Sequence, residues 1–322
     1  MHCSLFVPDF FSPKSAAPAA RLAAAETLIA KGRRKQEAPI ARDAWLFGRF
    51  GIRRQRDWPV APYALLGDGG APGGYFWMRA DPVHLSVGRD SLALDGNALE
   101  VSRSEADAFA ATLNRHFGDA LAFHPLRPER WYVRLAAAPE VETMPPSAAL
   151  ETAIGDKLPS GAEGMRFRAL MNETQMLLHE HPVNTAREAR GAPAVNSVWF
   201  WGGGTLVAPA ARPFSIVLAE DPLARGLALA AGTPERRPSG KAEAMLSALP
   251  PEGTALIVLD PQHGAELERD WFGPLLAALR DGRIGMLSLH LAGEDALLEV
   301  ETVRSDLRYF WRTRRPLQRY LA

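Results

Sequence analysis

The chain is short of cysteine, of net charge and of long apolar runs. Among its 322 residues there is one cysteine, Cys3, which excludes an intrachain disulfide and fits a reducing compartment. Basic and acidic residues number 37 each, so the formal net charge is zero and no global field draws the chain to nucleic acid or to an anionic membrane. No apolar stretch approaches the roughly 18 residues that a membrane span requires. The opening "MHCSLFVPDFF" lacks the basic segment and long apolar core of a signal peptide. These absences predict a cytoplasmic protein with neither nucleic acid nor membrane as partner. A further absence is local: no serine or threonine occurs from Leu28 to Leu85, so no nucleophilic hydroxyl of those types can come from that stretch.

What is present is ordinary globular material, 47% hydrophobic and 23% charged, which excludes a disordered chain. The length predicts two domains, or one domain carrying an insertion. "CSLFVPDFF" reads as a buried strand, and "RLAAAETLIAKG" as a helix stopped near Gly32. Residues 39–75, dense in glycine and proline, read as loop. "VHLSVGRDSLALDG" predicts two strands with a turn at Gly88–Asp90. Ser102 and Glu105 stand at capping-box spacing before a helix whose Phe109, Leu113 and Phe117 share a face. "LAFHPLRPERWYVRLAA" reads as a hairpin and "GMRFRALMNETQMLLHEH" as a second helix. From residue 195 onward the apolar runs "NSVWFW", "FSIVLA", "ALIVLD" and "GMLSLHLA" alternate with helices, the pattern of a mostly parallel sheet covered on both faces. The expected architecture is therefore α/β. Residues 1–79 and 182–322 form a discontinuous domain with a mostly parallel sheet, and residues 80–181 an inserted α+β domain with a four-stranded antiparallel layer and both helices on one face.

Between these parts lies "HPVNTAREARGAPAVNSVWFWGGG". Asn184, Arg187, Arg190 and Asn196 cluster here, and Gly202, Gly203 and Gly204 end the strand. Arginine forks match phosphate and carboxylate oxygens. One reading is a basic cleft for an anion beside the glycine turn; the other is a hinge whose polar groups satisfy buried backbone. Trp199 and Trp201 alternate with Phe200 and share a sheet face, as helix packing or as a ligand wall. At the C-terminus Arg304, Arg308, Arg312 and Arg315 fall at helical spacing, with Phe310 and Trp311 as anchors. This reads as a solvated helix face or as a contact for an anionic partner.

The same stretch, with its His-Pro-Val-Asn run followed by a strand ending in glycines, resembles archaeal-type cofactor-independent phosphoglycerate mutases of the alkaline-phosphatase-like superfamily. "RLAAAETLIAKG", "ADPVHLSVGRDSLALDG" and "DPLARGLALAAG" extend the likeness. "DWPVAP", "RADPVHL", "RWYVRL", "NETQMLLHEHPVN" and "VNSVWFWGGG" are similar to a bacterial group, the RpfE-type regulatory proteins. The mutase resemblance implies an alkaline-phosphatase-like fold with two divalent metals. It also implies a serine or threonine nucleophile in the loop after the first helix, and Asp and His ligands at strand ends. Here that loop is "DWPVAPYALLGDGG", without either hydroxyl. Asp9 is followed by Phe10 where the family has glycine. Asp260 and His263 stand three apart where the family has four, and His290 lies alone within an apolar strand. The implied residual metal set is Asp9, Asp260, His263 and His290. No cofactor is expected, the alternative being one divalent ion (Mn, Zn or Mg). The reading that results leans away from an enzyme: a catalytically degenerate phosphoglycerate-mutase-like protein with a regulatory or scaffolding role, its partner a phosphorylated small molecule or another protein. The alternative is a metal-dependent phosphoryl-transfer or hydrolytic enzyme with a simplified site.

Overall fold

In strand β1 (His2–Val7) successive side chains go to opposite faces, so Cys3, Leu5 and Val7 point one way and His2, Ser4 and Phe6 the other. The computed structural model describes residues 1–12, 21–87, 92–95, 99–150, 154–238, 240–247, 249, 252–260 and 264–320. After β1 come α1 (Ala23–Lys31), β2 (Arg33–Glu37) and α2 (Arg42–Arg49). The middle of the chain holds α3 (Val60–Gly67), β3 (Phe76–Val83), β4 (Leu85–Val87), β5 (Leu92–Leu94), α4 (Arg103–Phe117), β6 (Leu121–Arg127), β7 (Arg130–Leu135), α5 (Gly164–His179), α6 (Pro182–Ala189) and β8 (Ser197–Gly204). The last part holds β9 (Ile216–Ala219), α7 (Pro222–Ala230), β10 (Glu235–Arg236), α8 (Ala242–Leu246), β11 (Thr254–Val258), α9 (Gly264–Leu267), α10 (Gly273–Asp281), β12 (Met286–Ala292) and β13 (Leu297–Val303). Two compact units result: Met1–Ile52 with Pro209–Ala322, and Arg53–Ala208. Among the described residues no helix is long and apolar enough to cross a membrane.

The first unit is α/β, with a seven-stranded sheet in the order β10-β9-β11-β1-β12-β13-β2. Its first five strands are mutually parallel; β13 runs against them, and β2 pairs antiparallel to β13 and so runs with the five. On one face Cys3, Leu5, Ile257, Leu287 and Leu289 pack with Leu28 and Ile29 of α1 and Leu275 and Leu279 of α10 in one buried core. On the other face Trp45 of α2 stacks on Phe6 with ring centroids 4.2 Å apart. Toward β12 and β13 that second face turns polar, carrying Ser288, His290, Glu299 and Glu301. Here the sequence reading of "GMLSLHLA" as apolar on both faces is corrected, because its residues alternate in polarity and only one side is greasy. β2, "RRKQE", was not foreseen as a strand. It is a charged, exposed edge, which blunts pairing with other chains.

The second unit carries a four-stranded antiparallel sheet, β6-β7-β3-β8. Strand 197–204, expected in the main parallel sheet, pairs here with β3, Val83 opposite Ser197 and Trp77 opposite Gly204. All eight of its residues are buried, so its hydrophobicity could not say which sheet it joins. The two strands expected around Gly88–Asp90 form a separate ribbon, β4 with β5, and that turn lies outside the described residues. Phe117 of α4 and Phe167 of α5 meet Phe123 and Phe200 in one aromatic cluster, which puts both helices on one face of the sheet. Ser102 caps α4 through the anticipated capping box with Glu105.

Residues 39–75 are not the loop expected. They contain α2 and α3, and Pro62 fits α3 because it lies in the first turn, where no intrahelical N–H is needed. The arginine-rich C-terminus is likewise not an α-helix. Arg304–Arg308 form a 3-10 turn, and Phe310 and Trp311 are exposed rather than anchoring.

Gly202 has φ +65°, and a Cβ there would lie 2.9 Å from the Val60 Cβ. Gly202→Ala should lower stability to urea by about 1–3 kcal/mol. By contrast, Gly48→Ala within α2, with nothing within 4 Å of the added carbon, should raise it by up to about 1 kcal/mol.

Candidate functional site

The cluster singled out between helix and strand is a clasp, with its charges turned inward. His181 caps α6, and Pro182 occupies its first turn. Asn184 is buried; its amide donates to the carbonyls of Leu178 (2.8 Å) and Val195 (2.9 Å) and its Oδ1 accepts from Val195 N–H. Asn196 makes the same two-way pairing with the backbone of Leu85, at 2.8 Å each way. Arg187 is 1% exposed. Its guanidinium donates to the carbonyls of Pro193 and Glu100 and to Glu105 Oε2 at 3.1 Å. Arg190 donates to the other Glu105 oxygen at 2.5 Å. Burial pushes the Glu105 pKa up, but the Arg190 and Ser102 hydrogen bonds and the Arg187 charge outweigh it, leaving it lowered to about 2. The basic cleft expected from Arg187 and Arg190 is thus corrected: the donors that would hold an anion already hold Glu105 and the backbone.

The glycines serve packing. Added Cβ atoms at Gly203 and Gly204 would strike Phe76 and Pro59, and Gly202 N–H is donated to Thr143 Oγ1. Trp199 and Trp201 each donate their indole N–H internally, to the Met144 carbonyl and to Asp81.

In the first unit the strand-end carboxylates carry local duties. Asp9 is exposed at the end of β1 with φ +52°, the left-handed region that a turn aspartate tolerates. Asp221, after β9, accepts from the Leu223 and Ala224 N–H groups at the start of α7 and pairs with Arg42 at 2.6 Å. Partial desolvation, then the Asp221 charge, raises the pKa of Asp260. His263 lies outside the described residues. Among the described residues no group of three or more His, Cys, Asp or Glu is placed to hold a metal ion.

His290 has a different setting from the one anticipated. Ser4 Oγ lies 3.0 Å from its Nε2, and Glu299 Oε1 lies 2.9 Å from its Nδ1. Arg49 donates to the same Glu299 oxygen at 2.9 Å, and His2 pairs with Ser288 at 2.8 Å. Trp45 covers the imidazole, centroids 4.9 Å apart. A cavity of about 450 Å3 opens on this face, lined by Ser4, His290, Glu299, Arg49, Arg33 and Lys35 among others. Burial lowers the pKa of His290, against the opposing pull of Glu299, so the ring is neutral near pH 7. Ser4, Arg49 and Glu299 escaped the sequence reading. The only signal was the polar alternation of three strands far apart in the chain.

No protein-family model matches the chain. The 2,3-bisphosphoglycerate-independent phosphoglycerate mutase of Methanosarcina barkeri (strain Fusaro / DSM 804) is 33% identical over 142 residues, 42% of this chain and 34% of that protein. Its counterpart in Methanosarcina mazei is 29% identical over 136 residues, 39% of this chain and 34% of that protein. Over these segments the chain is similar to 2,3-bisphosphoglycerate-independent phosphoglycerate mutases. It spans about a third of the length of these curated relatives. Among solved structures, the PH0037 protein from Pyrococcus horikoshii aligns over 94% of this chain and 87% of that one, with a TM-score of 0.58 at 13% identity, a likeness of fold.

Two predictions follow from the clasp. Arg187→Ala, which leaves two buried carbonyls without their donor and takes one of the two arginines from Glu105, should cost about 3–5 kcal/mol in urea unfolding. Arg190→Ala, whose side chain is 53% exposed, should cost about 1 kcal/mol or less, and the reverse order would remove the clasp. Because the Glu105 pKa is lowered from 4.5 to about 2, its stabilisation is complete above pH 4.5 and lost as pH falls through about 2. Glu105→Gln should therefore destabilise by on the order of 3 kcal/mol at pH 7, and the gap to the parent should close in acid.

Proposed function

We propose that this chain is a phosphoglycerate-mutase-like protein that no longer carries out the mutase reaction and has a regulatory or scaffolding role in the cytoplasm. The observation that carries the proposal is the hydroxyl-free stretch from Leu28 to Leu85, where the resemblance requires a serine or threonine. The strand-end carboxylates support it. Asp221, at the start of α7, is occupied by backbone N–H groups and Arg42, and Asp9 is the exposed turn residue. The segments similar to RpfE-type regulatory proteins supply the regulatory part of the reading, and the single cysteine supports the compartment. A phosphorylated small molecule or a protein is the partner this role calls for. The alternative, a metal-assisted enzyme on Asp9, Asp260 and His263, rests on the same homology and is separated by assay.

The full chain, supplied with manganese, magnesium or zinc, should not interconvert 3-phosphoglycerate and 2-phosphoglycerate above the protein-free background. Turnover that tracks the purified chain through a second chromatographic step would overturn the proposal.

A further inference from the structure

Three side chains from three neighbouring strands of the first unit form a relay. Ser4 Oγ is 3.0 Å from His290 Nε2, and His290 Nδ1 is 2.9 Å from Glu299 Oε1. The Glu299 pKa is lowered, first by the His290 hydrogen bond, so the carboxylate is ionised and only accepts. The proton on the ring therefore sits at Nδ1, and Nε2 is free to accept from the serine hydroxyl. Arg49 and His290 both donate to one Glu299 oxygen, which accounts for the 3.1 Å between Arg49 Nη2 and Nδ1. The cavity of about 450 Å3 has Ser4, His290 and Glu299 in its wall, together with Arg33, Arg34, Lys35 and Arg49 and a second acid, Glu301. Arg33 pairs with Glu301, Lys35 with Glu37, and Arg34 lies over the Tyr320 ring, so the four cations outnumber the two lining carboxylates. Toward Phe6 and Trp45 the same sheet face is filled with aromatic rings.

We propose that Ser4, His290 and Glu299 are a serine-hydrolase triad that cleaves small carboxylic esters, the basic wall favouring esters that carry an anionic group. Ser4 Oγ attacks the ester carbonyl carbon while its proton passes to His290 Nε2. Arg49 offers N–H donors to the resulting oxyanion. The carbon–oxygen bond to the alcohol breaks, and the alcohol leaves with the proton from His290. Water then attacks the acyl-serine, gives its proton to His290, and the carboxylic acid departs as that proton returns to Ser4. Ser4 and His290 are the catalytic residues, and Glu299 is a positioning residue that fixes the tautomer. This activity is independent of the mutase reaction, so its failure would leave the preceding proposal intact.

The full chain is treated with a fluorophosphonate probe and the adduct located by peptide mass spectrometry. The adduct should map to Ser4. It should persist in Ser288→Ala and form roughly 10²–10⁴-fold more slowly in His290→Ala. Hydrolysis of mono-p-nitrophenyl succinate should exceed that of p-nitrophenyl acetate and vanish in Ser4→Ala. Glu299→Gln should lower kcat with KM unchanged, and Glu299→Asp should restore part of it. No adduct on Ser4 in the parent protein, or hydrolysis undiminished in Ser4→Ala, would overturn the triad. Equal rates on the two esters would overturn the charge preference.

Discussion

A β-strand sends neighbouring side chains to opposite faces, and in the first unit that constraint decides almost everything else. β1 and β12 lie side by side, Ser4 opposite Ser288 and Phe6 opposite His290. Their odd-numbered residues, Cys3, Leu5, Leu287, Leu289 and Leu291, are all buried and apolar and make the core under α1 and α10. Their even-numbered residues are then forced onto the other face. Those that are polar cannot be left unpaired once α2 covers them, since a buried orphan donor or acceptor costs roughly 1–3 kcal/mol. The Ser4–His290–Glu299 chain and the His2–Ser288 pair are the solution, and Arg49 completes it. A polar groove beside a greasy core is one sequence pattern read on two sides.

The second unit answers to the same requirement with stronger charges. Glu105 is at once the reciprocal member of the α4 capping box and the acceptor for two arginines. Desolvation pushes the pKa of this carboxylate up, and the donors around it more than offset that push, leaving it lowered. Arg79 is likewise buried, paired with Asp81 and flanked by the rings of Tyr132 and Trp201. Asp68 is shared between Tyr132 and a two-pronged Arg130. Ion pairs of this kind add little net stability compared with apolar residues, but removing one partner is costly.

Much of this was legible in the residues. The mostly parallel sheet, the capping box at Ser102, the hairpin of β6 and β7 and the helix that precedes His181 follow from local pattern. Strand 197–204 did not, because a segment apolar on both faces fits either sheet, and only its pairing with β3 decides. α2 and α3 were hidden by glycine and proline around them, which punctuate helix ends as readily as loops. Arg187 and Arg190 stand out in the sequence as part of one cluster, and both reach Glu105. Their acceptors, Glu100 and Glu105, stand more than 80 residues upstream, beyond any spacing rule. Ser4 and His290 are separated by 286 positions, so only the sheet order brings them together.

Frame and chemistry are separable in such a fold. Core positions such as Leu5, Leu287 and Leu289 are held in place by packing whatever the protein does, since truncating one costs roughly 2–5 kcal/mol. The ends of the parallel strands are under no such packing constraint, and their side chains are free to take up structural work. Asp221 shows the outcome: one oxygen accepts two backbone N–H groups at the start of α7 and the other pairs with Arg42. A carboxylate so engaged would have to give up a helix cap, worth about 1 kcal/mol, and an ion pair before it could turn to a ligand. The central strands offer the opposite case. On the polar face His290 keeps Nε2 directed at a hydroxyl beside a cavity, a position from which a proton can move without disturbing the core behind it.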